Sequence, residues 1–136
     1  MKRINVYVDT SGSFSMKEIN EAYAVIHKLH EQNGKKFKYV IFYWHTEVYL
    51  KFIYNPNEPL PFPSGGGTNP ECVIDHIAKS HPHKSYIITD GYYNIVKRFA
   101  EGEDITWVIA DYGNYNHDCR HIGQTIYSRS ILFERR

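Results

Sequence analysis

Apolar and polar positions divide the chain into alternating strand-like and helix-like stretches. The run Ile4-Asn5-Val6-Tyr7-Val8 reads as a strand and ends abruptly in Asp9-Thr10-Ser11-Gly12-Ser13, a cluster of oxygen-bearing side chains. Beyond it, Ile19, Ala22, Tyr23, Ile26, Leu29 and His30 recur at three- and four-residue intervals and form one apolar helical stripe. Ser15 followed by Glu18 is a capping-box pattern, and Asn33-Gly34 supplies a stop, so a helix is predicted from about Met16 to Gln32.

The segments Lys38 to Trp44 and Glu47 to Tyr54 are rich in aromatic and β-branched residues and flank the polar pair His45-Thr46, which predicts a hairpin. Their aromatics fit sheet packing better than a base-stacking platform, because positive charge does not accompany them. Four of the six prolines and a Gly triplet fall between Asn55 and Gly67, as in a long ordered loop. A second helix then opens, with Asn69 as cap, Pro70 at its first position, and Val73, Ile74, Ile77 and Ala78 as its buried face up to Ser80.

Ser85 to Thr89 is a short strand that stops at Asp90-Gly91, repeating the opening theme of a strand ending on a carboxylate. A weaker helical patch from Ile95 to Ala100 leads through Gly102 to a buried strand, Ile105 to Ala110. The polar region Tyr112 to Gly123 has room for one helical turn around Asp118 to His121, and Thr125 to Phe133 is read as a closing edge strand. Strands alternating with helices require right-handed crossovers. The expected class is α/β: a Rossmann-like, doubly wound, mainly parallel sheet with one antiparallel strand and helices on both faces. Ligands of such sheets bind beyond the carboxyl ends of the strands where strand order reverses, which is where Asp9 and Asp90 would sit, with Thr68 at the mouth of the second helix.

At 136 residues the chain is sized for a single domain, 1–136, with one proper core. A net charge of +1 gives no general electrostatic reason for a nucleic-acid or membrane partner, and Lys35-Lys36-x-Lys38 and Arg135-Arg136 read as solvated loop and tail residues. Two cysteines without CxxC spacing argue against a disulfide framework and fit a reducing cytoplasm. No run approaches the roughly 18 apolar residues of a membrane span, and no continuous apolar core of a signal peptide follows the first residues. The expected location is cytoplasmic.

Asp9, Ser11 and Ser13 alternate with Thr10 and Gly12, so a carboxylate and two hydroxyls could converge beyond the first strand. These hard oxygen donors suit Mg²⁺ or Mn²⁺. The same residues also suit a turn that caps the next helix, and the five positions alone leave both readings open.

Taken together, Asp9-Thr10-Ser11-Gly12-Ser13, Gly65-Gly66-Gly67-Thr68 and Thr89-Asp90-Gly91 resemble the three-part metal-ion-dependent adhesion site of von Willebrand factor A (VWA) domains. The form is closest to small VWA-like domains of bacteria and their phages. The resemblance implies that Ser11, Ser13 and Thr68 give hydroxyls to Mg²⁺, with Mn²⁺ or Ca²⁺ as alternatives, while Asp9 and Asp90 act mainly through bound waters. It further implies a binding device whose metal accepts an acidic side chain from a partner protein, an AAA+ ATPase of the MoxR type being one candidate. The chain departs from fuller members in its short length and in carrying His45 where many relatives place an acidic residue.

Other constellations are weaker. His117-Asp118-Cys119-Arg120-His121 has the residue types of a transition-metal site but reads as a polar surface turn, and His81-Pro82-His83 as a loop. Gly65-Gly66-Gly67-Thr68 lacks a P-loop lysine, and no Gly-x-Ser-x-Gly elbow is present. The alternatives kept are a metal-dependent hydrolase of phosphate esters or nucleic acid, with Asp9 and Asp90 holding one ion and His45 as base, and nucleic-acid binding through the Tyr-rich surface and the basic tail.

Overall fold

A computed structural model describes residues 2–33, 36–60, 66–93, 101–111 and 113–133. The elements are β1 (Lys2–Asp9), α1 (Met16–Asn33), β2 (Phe37–Trp44), β3 (Val48–Ile53), α2 (Glu71–Ser80), β4 (Lys84–Thr89), β5 (Ile105–Ile109), β6 (Gln124–Tyr127) and α3 (Ser128–Leu132). They form a six-stranded sheet of order β3-β2-β1-β4-β5-β6. Every neighbouring pair is parallel except the β2–β3 hairpin. The class read from the alternation of strands and helices is the one observed.

Two cores result, because alternate side chains of each strand point to opposite faces. On one face Ile19, Ala22, Val25, Ile26 and Leu29 of α1 pack on Val6, Val8, Ile41, Ile88 and Val108. On the other, Val73, Ile74 and Ile77 of α2 pack on Tyr7, Phe42, Ile87 and Trp107. Burying each large aliphatic or aromatic side chain is worth about 1.5–3 kcal/mol, so the helices are held chiefly by these faces. Val25, not assigned to the stripe in the sequence, is fully buried, whereas Tyr23 and His30 are only half-buried.

Local signals set the helix ends. Ser15 N–H donates to Glu18 Oε1 at 3.0 Å while Glu18 N–H donates to Ser15 Oγ at 3.3 Å, closing the predicted capping box. Asn33, the last residue of α1, donates to Leu29 O at 3.2 Å. At α2, Asn69 Oδ1 accepts from Glu71 N–H at 3.1 Å and Pro70 already has helical dihedrals. His81 closes α2 in the left-handed region at φ 46°, its N–H bonded to Ile77 O at 3.0 Å, and lies in the loop the sequence predicted.

The predicted edge strand from Thr125 to Phe133 is corrected. The chain is extended only through Tyr127, and Ser128–Leu132 form a short helix. A continued strand would place Ile131 and Phe133 on one face. The helix instead buries Ile131 in the α1-side core and leaves Phe133 78% exposed. Ser128 Oγ donates to Glu21 of α1, and Arg129 Nη1 donates to Asp111 Oδ1 at 2.9 Å. The expected helical patch Ile95 to Ala100, Gly65 and the tail Arg135-Arg136 lie outside the described residues. Among the described residues no helix is long and apolar enough to cross a membrane.

Candidate metal centre

Strand order reverses at β1: β2 lies on one side of it and β4, reached after the hairpin and α2, on the other. The carboxyl ends of β1 and β4 therefore flank the crevice where such sheets bind ligands. Register pairs Val8 with Ile88. One step further, Thr89 Oγ1 donates to Asp9 Oδ2 at 2.7 Å.

Asp9 is fully buried, and its other oxygen, Oδ1, accepts from Ser11 N–H at 2.8 Å. That bond folds the chain back so that Ser11 Oγ and Ser13 Oγ lie 3.3 Å apart. Burial pushes the Asp9 carboxyl up to about 6, against the opposing effect of hydrogen bonds from Thr89 and Ser11, and the charge of Asp90 adds a smaller upward push. Asp90 is buried at the end of β4, its Oδ1 accepting from Tyr92 N–H at 3.1 Å and its carbonyl from Asn114 N–H at 2.7 Å. Gly91 follows at φ 79°, and a Cβ there would stand 2.4 Å from Asn114 O, so only glycine fits the turn.

The glycine-rich loop is tied to this centre by its backbone. Gly12 N–H donates to Gly66 O at 3.0 Å, and Asn69 N–H donates to His45 O at 2.8 Å, which fixes the loop segment carrying half-buried Thr68 on both sides. Ser13 and Asp90 line one groove, of about 530 Å³. Thr68, Gly91 and Tyr92 line a second, of about 460 Å³, and Tyr92 belongs to both. The structure thus links Asp9, Ser11 and Ser13 directly and sets Asp90 and the Thr68 loop around them. A buried carboxylate whose ionised form is disfavoured, two adjacent hydroxyls and a second carboxylate form a donor set that fits a hard divalent cation.

The sequence alone assigns Thr89 and Thr10 no role of their own. Thr10 Oγ1 reaches Trp44 O at 3.0 Å and Tyr49 OH at 2.7 Å, pinning the loop to the hairpin. For Thr89 the available signal was its place as the last β4 residue on the Asp9 face. His45, the candidate base, stacks on Tyr49 with centroids 4.5 Å apart, and its Nδ1 accepts from Thr46 N–H at 2.6 Å. The predicted surface turn at 117–121 is corrected in part. His117 and Cys119 are fully buried and His121 is exposed. His117 Nδ1 meets Tyr93 OH at 2.7 Å and Nε2 meets Thr125 Oγ1 at 2.9 Å, and the ring packs on Trp107. This buried histidine braces β5 and β6. Among the described residues no group of three or more His, Cys, Asp and Glu could hold a metal.

The fold is shared with solved structures. The ArnB paralog VWA2 from Sulfolobus acidocaldarius matches with a TM-score of 0.69 at 14% identity, over 97% of this chain and 43% of its own. An aerotolerance-related membrane protein from Bacteroides fragilis NCTC 9343, carrying multiple mutations to serines, matches with a TM-score of 0.58 at 15% identity, over 80% and 67% of the two chains. BatB from Bacteroides thetaiotaomicron matches at 0.57 and 13% identity, over 81% and 67%. At such identities the likeness establishes the fold, and the chain spans less than half the length of the VWA2 structure. The protein is thus a VWA-fold α/β domain. The profile of the VWA-like domain (DUF2201) family matches residues 4–121, and the chain belongs to that family. Domains of this class are typically interaction modules. No curated protein shows a significant sequence match.

Proposed function

We propose that this domain binds a partner protein through a divalent cation, Mg²⁺ by preference, held at the carboxyl ends of β1 and β4. The observation that carries this reading is the joining of Asp9, Ser11 and Ser13 by hydrogen bonds of 2.8 and 3.3 Å, with Asp90 and the Thr68 loop set around them. Ser11, Ser13 and Thr68 would supply hydroxyl oxygens, and Asp9 and Asp90 would act mainly through water. With so few charged ligands the bound cation would keep its attraction for an acidic side chain of the partner. The protein's own part is to hold these donors: Thr89 and Ser11 N–H orient Asp9, and Tyr92 N–H orients Asp90.

A protein of the AAA+ ATPase class as partner rests on the motif resemblance alone. A cytoplasmic location belongs to the same proposal and is supported by Cys72 and Cys119 not being joined in a disulfide.

Mn²⁺ binding followed by electron paramagnetic resonance tests the reading. Thr68→Ala and Ser13→Ala should each weaken Mn²⁺ binding at least about tenfold with the fold intact by circular dichroism, as expected for loss of an oxygen ligand. Unchanged Mn²⁺ affinity in both variants would overturn the proposed centre.

A further inference from the structure

The two edges of the sheet differ. β6 is four residues long, runs directly into α3, and has the carbonyl of Thr125 taken by Tyr115 OH at 2.9 Å. β3, the other edge, has six residues, of which the last three, Lys51, Phe52 and Ile53, are exposed. Tyr54 N–H donates to Tyr39 O at 2.9 Å, and alternation along the antiparallel pair then turns the backbone groups of Leu50 and Phe52 toward β2 and those of Lys51 and Ile53 away from it. Among the described residues no hydrogen bond is made to the outward N–H and C=O groups of Lys51 and Ile53. An open row of this kind is a template for another strand.

The side chains on this edge select what such a strand would carry. Phe52 and Ile53 are 37% and 58% exposed and lie on opposite faces, Phe52 beside Ile41 of the α1-side core and Ile53 beside Val40 of the α2-side core. Lys51 shares the face of Ile53 and lines a groove of about 270 Å³ between β3 and α2, with Phe42, Val48 and His76 in the same walls. No carboxylate lines it among the described residues, and Lys51 makes no hydrogen bond or ion pair with any of them. Burial, together with the positive charges of Arg3, Lys51 and Lys79, holds the His76 ring below its usual range. The carboxylates of Asp75 and Glu47 act instead on Cys72, one turn earlier in α2, whose thiol burial pushes up to about 12 with those charges adding to the effect. The groove therefore offers an occupant positive charge, next to an apolar side chain that is open to water.

A second copy of this chain fits the edge poorly, since antiparallel pairing of β3 with itself about Lys51 would set two ammonium groups opposite each other. We infer that the β3 edge receives an extended segment of a partner protein as a seventh strand, with an acidic residue beside Lys51 and a bulky apolar one beside Ile53. Because Lys51 and Ile53 alternate along one face, those two partner residues stand two positions apart. The outward backbone groups of Lys51 and Ile53 bond to any extended chain, and the two side chains select among such chains. This binding needs no metal and is independent of the centre at the ends of β1 and β4.

A random-heptapeptide phage library panned on the whole chain in EDTA tests this. Enriched sequences should carry Asp or Glu two positions from Ile, Val or Phe, in either direction. Added as synthetic peptides to the nitrogen-15-labelled chain, they should slow hydrogen exchange at the Lys51 and Ile53 amides at least about tenfold, because those N–H groups become part of a ladder. Lys51→Glu and Ile53→Ser should each weaken peptide binding about fivefold, the size of a cross-strand pair. Both side chains are exposed, and circular dichroism confirms that each variant folds. Peptides that bind without slowing exchange at these two amides, or that bind both variants as well as the parent, would overturn the proposal, as would enrichment of no acidic-apolar sequence. Slowing at Lys51 and Ile53 that follows protein concentration with no peptide present would assign the edge to a second copy and overturn the partner strand.

Discussion

Thr89 Oγ1 donates a hydrogen bond of 2.7 Å to Asp9 Oδ2 across the β1–β4 boundary, joining the ends of two strands that lie 80 positions apart in sequence. The bond is buried on both sides, so it favours the ionised form of a carboxylate that water does not reach. Thr89→Val keeps the shape of the side chain and removes the donor. Stability at pH 7 should fall by about 1–3 kcal/mol, the cost of leaving a buried acceptor short of a partner. Urea denaturation measures it, and a Val variant as stable as the parent would show that the bond contributes nothing.

Asp9 itself should oppose folding at neutral pH when no cation is present. Its carboxyl titrates near 6 in the folded chain against an ordinary value of 3.8. Between those values the folded state keeps a proton that the unfolded state releases, so the Asp9 contribution is fully present below about pH 4 and is lost as pH rises through 6. Asp9→Asn, which can still accept from Ser11 N–H, should therefore be more stable than the parent at pH 7 without metal, by roughly 1–3 kcal/mol. Adding Mg²⁺ should raise the melting temperature of the parent and leave Asp9→Asn nearly unmoved. Equal metal-induced shifts in the two proteins would argue that the cation binds elsewhere.

His117 carries the opposite sign. Burial pulls its ring down to about 4 from 6.5, and Arg120 adds to the effect. The unfolded state then binds the extra proton between these values, so its contribution is present above about pH 6.5 and lost as pH falls through 4. The slopes from His117 and Asp9 oppose each other over pH 4 to 6. Removing one with Asp9→Asn should leave a stability profile that falls steadily as pH drops from 6.5 to 4, and denaturation at intervals across that window reads it out. A profile as flat as the parent's would contradict the assignment.

Gly91→Ala should be severely destabilising. The residue holds φ 79°, and an added Cβ would meet Asn114 O at 2.4 Å, a backbone atom with no side-chain freedom to yield. A loss of at least about 2 kcal/mol is expected from strain and overlap combined, measurable by thermal melting. Because the turn follows Asp90 directly, the same variant should also weaken Mn²⁺ binding.

Glu21 joins α1 to α3 and to the chain end of β5 through Ser128 Oγ and Asp111 N–H. Glu21→Ala should cost about 1–2 kcal/mol, as expected for hydrogen bonds to a charged group. It should also loosen α3 selectively, seen as faster amide hydrogen exchange at 128–132 with α2 unaffected. Uniformly unchanged exchange would mean that Ile131 packing alone holds the helix.

Much of this fold was legible along the chain because its signals are local. The capping box at Ser15 and Glu18, the α1 stripe, the Asn69 cap and the strands stopping on Asp9 and Asp90 each depend on residues within a few positions of one another. The stretch after Thr125 was misread because apolar residues in so short a segment fit a strand as well as a helical turn. There the choice fell to Glu21 and the α1-side core, which hold Ser128 and Ile131 from more than a hundred residues away. His117 misled for the same reason: a histidine among polar neighbours reads as exposed, and only Tyr93, Thr125 and Trp107 make its burial tolerable.

The sequence by itself determined the order of the strands, the helices α1 and α2, the hairpin, and the residue types that end β1 and β4, since periodicity, caps and turn residues act over short range. Only the tertiary structure decided that Thr89 would hold Asp9, that Gly66 would tie the Thr68 loop to Gly12, and that α3 would wall a cleft beside them. Those relationships depend on strand order and crossover packing, which bring together side chains whose separation in sequence carries no trace of their contact.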